Sequence, residues 1–420
     1  MNPGIRVLIA DSSAALSRAT AEVMTRTGKI DVVGRVYSGT ELISLATSGR
    51  PNVIVLDVDL DRGRGLDTLR QLRQAKHQTP VVVFSALSLR SIDSTFEALS
   101  LGANDYVAKP AGTGHLQGIV DYVGRELVPK VLFWGDSQRS GSAIDGSTDA
   151  ASPRSSDGRI PGNTALDRFQ SLSGDSTPPP ATRTGFSIPV FNTSSGGPGT
   201  TGLSRNSAAK THRSPYVDAV VIAVSTGGPN ALAAIMPGLP GNLGVPVLIV
   251  QHMPPMFTKL LAERLDQCSP LSVREGTDRA VIRPNDVWLA PGDYHMVVQR
   301  FGTEVRIGLN QAAPENSCRP AADVLFRSAA EVYGGAVLAV VLTGMGRDGT
   351  EGCRVLRQKG ATVFAQNAAS CTVWGMPRTV EEAGLADKII PLNQVAAEIA
   401  KTVRSRIRPS VARPALTAAK

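Results

Sequence analysis

Ala219-Val220-Val221-Ile222-Ala223-Val224-Ser225-Thr226-Gly227-Gly228-Pro229-Asn230 sets the fold class of this chain. A short, unbroken apolar run rich in β-branched residues fits a parallel strand covered on both faces. The Gly-rich turn and Pro229 fit the start of a helix, where proline's missing N–H costs nothing. Strand, turn and helix in that order belong to an open α/β sheet, and such sheets bind ligands beyond the carboxyl ends of their strands. Ser225 would stand at that edge as a candidate nucleophile, although such turns also bind phosphate or merely redirect the chain.

Outward from this stretch, a block over 215–405 repeats the same style. Strands are expected at 219–224, 245–250, 337–342 and 361–365, with helices near 229–236, 256–267, 322–333 and 349–359. The stretch 286–306 alternates more and contains Pro291-Gly292-Asp293, which suggests a hairpin on one edge of the sheet. A first block, 1–130, places short apolar runs at 6–10, 32–36, 53–57, 81–85 and 105–107 with amphipathic stretches such as 14–27 and 65–76 between them. That alternation predicts a second doubly wound parallel sheet. Residues 131–214 lie between the blocks and are rich in Ser, Gly, Thr and Pro, especially from about 136 onward, as in Thr177-Pro178-Pro179-Pro180. Such a composition cannot bury enough apolar surface to offset ordering entropy, so a disordered linker is expected, reaching some 50 Å as a flexible coil. The basic tail 406–420 is expected to be disordered as well.

The chain has 420 residues, 42% of them hydrophobic, which suits two or three packed domains. No apolar run approaches the roughly 20 residues of a membrane span, and Val7-Leu8-Ile9-Ala10 is too short for a signal-peptide core. These readings predict a cytoplasmic protein without membrane insertion. Cys268, Cys318, Cys353 and Cys371 show no Cys-x-x-Cys spacing, so zinc ribbons and dithiol redox motifs are not expected. The net charge of +8 is spread along the chain, and half of it falls in the last 15 residues, which contain no acid. A nucleic-acid footprint would concentrate it in a stripe, so no nucleic-acid partner is expected.

In the first block, Asp57 closes the run Val53-Ile54-Val55-Leu56, Asp11 follows the first strand, Ser85 ends the fourth, and Lys109-Pro110 follows the fifth. In a parallel sheet all four converge on one edge, where carboxylates can hold a divalent cation and an ammonium can neutralise phosphate. With Gly102-Ala103-Asn104-Asp105-Tyr106-Val107-Ala108-Lys109-Pro110, the block resembles the receiver domains of response regulators over 4–126. The resemblance implies a flavodoxin-like fold, Asp57 as phospho-acceptor, Asp11 and Asp57 as Mg²⁺ ligands, Ser85 as switch hydroxyl, Lys109 as phosphate-sensing base and Tyr106 as rotating aromatic. Two departures stand out. The family usually carries two adjacent acids where this chain has Asp11-Ser12, and a Met-Pro and Asp-Gly pattern where it has Leu60-Asp61 and Arg64-Gly65.

In the second block a nucleophilic serine needs a base, and the base an orienting acid. Of the two histidines between 216 and 405, His252 follows a strand to the edge that holds Ser225, whereas His295 reads as a surface or packing residue. The strand 337–342 ends in Thr343-Gly344-Met345-Gly346-Arg347-Asp348-Gly349. Asp348 could orient the imidazole or cap a helix, and backbone N–H groups among residues 344–346 could stabilise an oxyanion. Three loops on one edge thus supply a nucleophile, a base and an acid, with no Gly-x-Ser-x-Gly elbow.

Ser225-Thr226-Gly227-Gly228-Pro229, Gln251-His252-Met253-Pro254, Leu289-Ala290-Pro291-Gly292, Arg319-Pro320, Leu342-Thr343-Gly344-Met345-Gly346 and Gly375-Met376-Pro377 follow in order. With the receiver-like block they resemble the chemotaxis protein-glutamate methylesterase (CheB) family. The resemblance implies Ser225 as nucleophile, His252 as base then acid, Asp348 as orienter, and Thr226 and the Met345 N–H near the reacting carbonyl. The implied substrates are glutamate γ-methyl esters and selected glutamines of methyl-accepting chemotaxis receptors, with no cofactor for the esterase. A chemotaxis histidine kinase would be the phosphodonor, and the unphosphorylated receiver would cover the cleft. Asp293-Tyr294 and Gln366-Asn367-Ala368-Ala369 depart from the family's usual residues. The competing classes are a non-catalytic two-domain adaptor, an esterase whose receiver is not phosphorylated, and a DNA-binding response regulator, the last lacking any helix-turn-helix pattern.

Overall fold

A computed structural model describes residues 4–110, 116–141 and 213–406. The first domain is a five-stranded parallel sheet of β1 (Ile5–Ala10), β2 (Ile30–Val36), β3 (Val53–Leu56), β4 (Val81–Ser85) and β5 (Asp105–Ala108), in the order β2-β1-β3-β4-β5. The strand order reverses at β1 and β3, so the crevice of a doubly wound sheet opens beside Asp11 and Asp57. Val53 to Leu56 are buried throughout, which explains why β3 reads as a continuous apolar run. Ser13, Ser38 and Ser88 each cap a following helix by accepting a backbone N–H three residues on.

The boundary expected near residue 130 falls inside helical structure. The chain runs from Leu116–Tyr122 through a π-helical turn at Val123–Leu127 into a helix over Val128–Gly141. Leu127, Val131 and Trp134 are buried in the apolar cluster that also contains Ile5, Val7 and Val53. Gly135 lets this helix lie close to β1, because a Cβ there would stand 2.2 Å from Ile5 Cγ2. The helix packs on the first domain's sheet as far as Trp134 and Gly135, and the expected linker from 142 and the tail from 407 lie outside the described residues.

The second domain is a seven-stranded parallel sheet in the order β14-β13-β12-β6-β7-β9-β8. Its strands are β6 (Ala219–Val224), β7 (Val247–Gln251), β8 (Ser272–Glu275), β9 (Asp286–Leu289), β12 (Val337–Val341), β13 (Thr362–Gln366) and β14 (Lys388–Ile390). The chain moves from β6 outward through β7 and later returns to place β12 on the other side of β6, so the switch point lies at β6. The expected hairpin needs correcting. Asp286–Leu289 is a strand of the main sheet, and the hairpin is a separate antiparallel pair, β10 (His295–Phe301) with β11 (Glu304–Asn310), turning at Gly302, where φ is +59°. It packs on the helix Ala322–Tyr333, and the Val298 N–H donates to Ser328 Oγ at 3.0 Å.

Two apolar clusters contain residues of both domains. Val83, Phe96 and Tyr106 of the first belong to the same packed set as Met253, Phe257 and Leu261 of the second. The Tyr106 and Phe257 rings stack with centroids 5.0 Å apart. Among the described residues no helix is long and apolar enough to cross a membrane.

Candidate functional site

Strand β6 delivers Ser225 to the switch point. The Ser225 N–H donates to the Thr343 carbonyl at 3.0 Å, and its own carbonyl accepts from the Gly228 N–H at 2.8 Å and from Gln251 Nε2 at 2.9 Å. Glycine is required at the next two turns of the chain. Gly227 has φ +76° and would place a Cβ 2.5 Å from Thr372, and a Cβ on Gly228 would lie 1.8 Å from Gln251 Oε1. The helix Gly228–Ile235 then starts with Pro229 in its first turn, as the sequence suggests.

Strand β7 pairs with β6 up to Val224 opposite Gln251, so His252 emerges beside Ser225, and its N–H donates to the Val224 carbonyl at 3.2 Å. The imidazole Nε2 lies 2.7 Å from Asp348 Oδ2. Asp348 arrives on the loop after β12, whose strand pairs with the other side of β6. Three neighbouring strand ends therefore bring the expected base and acid into direct contact at the edge that carries Ser225.

Asp348 does not cap its own helix, Thr350–Gln358, which begins at Gly349 with φ +89° and no side-chain cap. It fills the N-terminus of the helix Ala322–Tyr333 instead, accepting from Ala322 N–H at 2.6 Å and Asp323 N–H at 3.1 Å. Asn316 Nδ2 adds a fourth donor at 2.9 Å. Burial opposes the charge on this carboxyl, but the hydrogen bond and charge of His252 and the two backbone N–H groups outweigh it and hold the group at about 2. An ionised Asp348 is an acceptor only, so His252 Nε2 carries its hydrogen and Nδ1 is left as the basic nitrogen.

Among the described residues Nδ1 makes no hydrogen bond to Ser225. Cys318 Sγ lies 3.6 Å from Nδ1, and among the described residues Ser225 Oγ makes no hydrogen bond. Burial opposes protonation of the ring, while the Cys318 sulfur and the Asp348 carboxylate favour it and raise its titration above the ordinary histidine range. His295, in contrast, is a satisfied core residue: its Nδ1 accepts from the Ala321 N–H and its Nε2 lies 3.1 Å from the Ala313 carbonyl.

The expected oxyanion donors divide. The Gly344 N–H is engaged with the Val373 carbonyl at 3.0 Å, whereas no hydrogen bond among the described residues uses the Met345 or Gly346 N–H. Thr226 Oγ1 donates to Asp105 Oδ2 of the first domain at 3.1 Å. Met345 packs against the apolar cluster of that domain, and Val373 is buried within it. The first domain thus lies over the residues expected to meet a reacting carbonyl.

Four further side chains contribute; Gln251 and Gln366 lie in stretches the sequence marks without giving them a role, and Asn316 and Cys318 lie in none. Gln251 Nε2 donates both to the Ser225 carbonyl and to the His252 carbonyl, tying the two loops together. Gln366 Oε1 accepts the Thr343 N–H at 2.8 Å, and Asn316 spans Asp323 and Asp348 at 2.9 Å each. Cys318 is the fourth. At Asp293, Oδ1 takes Arg319 Nε and Nη2 at 3.0 and 2.6 Å, so this departure from the family pattern supports the neighbouring loop.

On the first domain's edge, Lys109 Nζ lies 2.7 Å from Asp57 Oδ2 and 2.9 Å from Asp11 Oδ2. Ser12 Oγ donates to the same Asp57 oxygen at 3.1 Å. Burial raises Asp11 above its ordinary value despite Lys109. Ser85 Oγ is fully buried and donates to the Ser91 carbonyl at 3.3 Å, and Tyr106 is buried against Phe257. Among the described residues no group of three or more His, Cys, Asp or Glu side chains could hold a metal. Two carboxylates nevertheless converge on a cation, the Lys109 ammonium, and the Ser12 hydroxyl is bound to one of them. That donor set fits Mg²⁺, which commonly takes one or two carboxylates and completes its shell with water and phosphate.

Comparison with known proteins agrees with this architecture. The CheB methylesterase family model matches residues 220–399 and the response regulator receiver domain model matches residues 7–121. A protein-glutamate methylesterase/protein-glutamine glutaminase of Trichodesmium erythraeum is 38% identical over 401 residues, covering 96% of this chain and 99% of its own. A protein of the same description from a Nocardioides species is 36% identical over 410 residues, covering 97% and 98%. The crystal structure of the Thermotoga maritima CheB methylesterase catalytic domain is 42% identical with a TM-score of 0.44, covering 44% of this chain and 98% of that one. The two family models, with methylesterase/glutaminase relatives 36–38% identical over nearly the full length of both chains, place the chain in the CheB methylesterase family.

Proposed function

We propose that this chain hydrolyses glutamate γ-methyl esters on methyl-accepting chemotaxis receptors, deamidates selected receptor glutamines, and does so by a Ser225–His252–Asp348 mechanism in the cytoplasm. The observation that carries the reading is the 2.7 Å contact between His252 Nε2 and a buried, ionised Asp348 at the strand end beside Ser225. It fixes the ring tautomer so that Nδ1 can take a proton.

In this mechanism Ser225 Oγ attacks the ester carbonyl carbon while its proton passes to His252 Nδ1. The carbonyl oxygen becomes an oxyanion next to the Met345 N–H and the Thr226 hydroxyl. Collapse breaks the bond to the methoxy oxygen, which leaves as methanol with the proton from His252. Water then attacks the acyl-serine with His252 again as base, releasing a glutamate carboxylate and restoring Ser225. A glutamine substrate follows the same steps with ammonia as the leaving group.

Phosphorylation of Asp57 by a chemotaxis histidine kinase would control access. Asp11 and Asp57 with the Ser12 hydroxyl would hold Mg²⁺, which supplies charge neutralisation for phosphoryl transfer when bound. Lys109 is placed to shift from the two carboxylates to a phosphoryl oxygen. Support for control through closure comes from Asp105, adjacent to Tyr106, which accepts the Thr226 hydroxyl and so occupies an expected substrate contact.

Ser225→Ala in the full chain should abolish methanol release from membranes carrying a methylated chemoreceptor while leaving thermal unfolding unchanged. Activity at the wild-type level in that variant would exclude Ser225 as nucleophile and with it the triad.

A further inference from the structure

Cys318 sits on the loop between the β10–β11 hairpin and the helix Ala322–Tyr333. A reciprocal backbone pair with Glu315, at 3.1 and 2.8 Å, holds it in place. The side chain is half-buried and its sulfur is 3.6 Å from His252 Nδ1, a hydrogen-bonding separation for sulfur. The opposite ring nitrogen is committed to Asp348 at 2.7 Å, so Nδ1 is the atom that must receive the serine proton. In this closed arrangement the basic nitrogen therefore has sulfur, and not Ser225, as its partner.

We propose that Cys318 is a positioning residue that restrains the catalytic base: its sulfur engages His252 Nδ1, and turnover requires that nitrogen to exchange from sulfur to the Ser225 hydroxyl. The proposal rests on the triad reading given above. The ring holds the proton in this contact: the Nδ1–H of an imidazolium donates to the sulfur, and while it does so Nδ1 is closed to serine.

The surroundings single out this contact. His252 faces the Asp348 carboxylate through Nε2 and the Cys318 sulfur through Nδ1. Asp323 stands behind Asp348 and is held by Asn316 and the Gly352 N–H. Glu315 is paired with Arg327 at 2.7 and 2.5 Å, and Arg319 with Asp293, so their charges are locally balanced. Removing the sulfur leaves the acid that orients the ring intact and changes the group in front of the base. A base works only when unprotonated, so activity rises with pH through the titration of His252. Since the sulfur helps hold the proton on the ring, its loss moves that rise to lower pH.

The test measures methanol release by the full chain from membranes carrying a methylated chemoreceptor, across pH, for wild type, Cys318→Ala, Cys318→Val, Cys318→Ser and Ser225→Ala. The Ala and Val variants should raise kcat near neutral pH about three- to tenfold, the weight of one ordinary hydrogen bond, with KM unchanged. The rising limb of their pH profiles should lie at lower pH than in the wild type. Cys318→Ser keeps a partner for Nδ1 and should stay near wild-type behaviour. A limb that does not move, or a fall in kcat in every Cys318 variant with Ser225→Ala inactive, overturns the role of Cys318 alone. An active Ser225→Ala removes the triad reading itself.

Discussion

Asp348 Oδ2 accepts from both His252 Nε2 and the Ala322 N–H, while Oδ1 accepts from Asn316 and the Asp323 N–H. One carboxylate therefore holds the imidazole proposed as the base and closes the start of the helix Ala322–Tyr333. The two duties make separable demands on a substitution. Asp348→Asn removes the charge that stabilises the imidazolium and offers an amide donor toward Nε2, which favours the wrong tautomer; kcat should fall about 10³- to 10⁴-fold. The same change weakens the helix start, and stability should fall by about 1–2 kcal/mol. The acid side of the stability profile follows from the same group. Its folded titration lies at about 2 against an ordinary 3.8, so its contribution is complete above the unfolded value and is lost as pH falls from about 4 through 2. Thermal unfolding of wild type and Asp348→Asn should therefore differ most above pH 4 and converge toward pH 2. Curves that stay parallel down to pH 2 would show that the ionised carboxylate is not what stabilises the fold.

Helix Val128–Gly141 shows how an element can belong to a domain that composition assigns to its linker. Leu127, Val131 and Trp134 follow helical spacing and are buried on the sheet, yet Pro129, Gly135 and the Ser- and Gly-rich run that begins soon after mask the pattern. Trp134→Ala in the full chain should cost about 3–5 kcal/mol, as truncation of a buried aromatic does. Chemical denaturation of the receiver domain reads this directly, and a loss below 1 kcal/mol would place Trp134 outside the core. The same contrast explains what else was legible. β6, β7, β12 and β13 are buried on both faces, so their apolar runs announced them and the loops they carry, including Ser225, His252 and Asp348. β8 and β14 are short edge strands, with only Val273 and Ile390 fully buried, and neither gives a period to read. Pro291-Gly292-Asp293 resembles a hairpin turn, but Gly292 is there because a Cβ would stand 2.2 Å from Pro255 N. Asn316 and Cys318 escaped notice because an irregular loop brings them to the site, and no spacing between them and His252 or Asp348 survives in sequence.

At the scale of the whole molecule, the receiver closes on the catalytic edge through contacts of different character. Tyr106 stacks on Phe257, Asn230 Nδ2 donates to the Leu99 carbonyl at 3.1 Å, and Thr226 donates to Asp105. At the rim, Arg264 Nη2 lies 2.8 Å from Asp93 Oδ1 and its guanidinium is 4.8 Å from the Phe96 ring centroid. Asp93 is more than half exposed, at 57%, so this ion pair contributes no more than about 1 kcal/mol. That is still enough to move a closed–open equilibrium severalfold, because a population responds exponentially to the free-energy difference. Neither Arg264 nor Asp93 is assigned a part in the chemistry, which makes the rim pair a handle on closure. Arg264→Glu sets two acids against each other and removes the cation from the Phe96 ring. Basal methanol release without phosphodonor should rise about three- to tenfold, and the further stimulation by a small phosphodonor with Mg²⁺ should shrink by a similar factor. Asp93→Arg combined with Arg264→Glu restores opposite charges across the rim and should bring the basal rate back toward the wild type. If the single variant leaves the basal rate unchanged, or the double variant is no more restrained than the single, the rim contact does not hold the receiver over the cleft, and the aromatic stack with the Thr226–Asp105 bond would have to maintain closure.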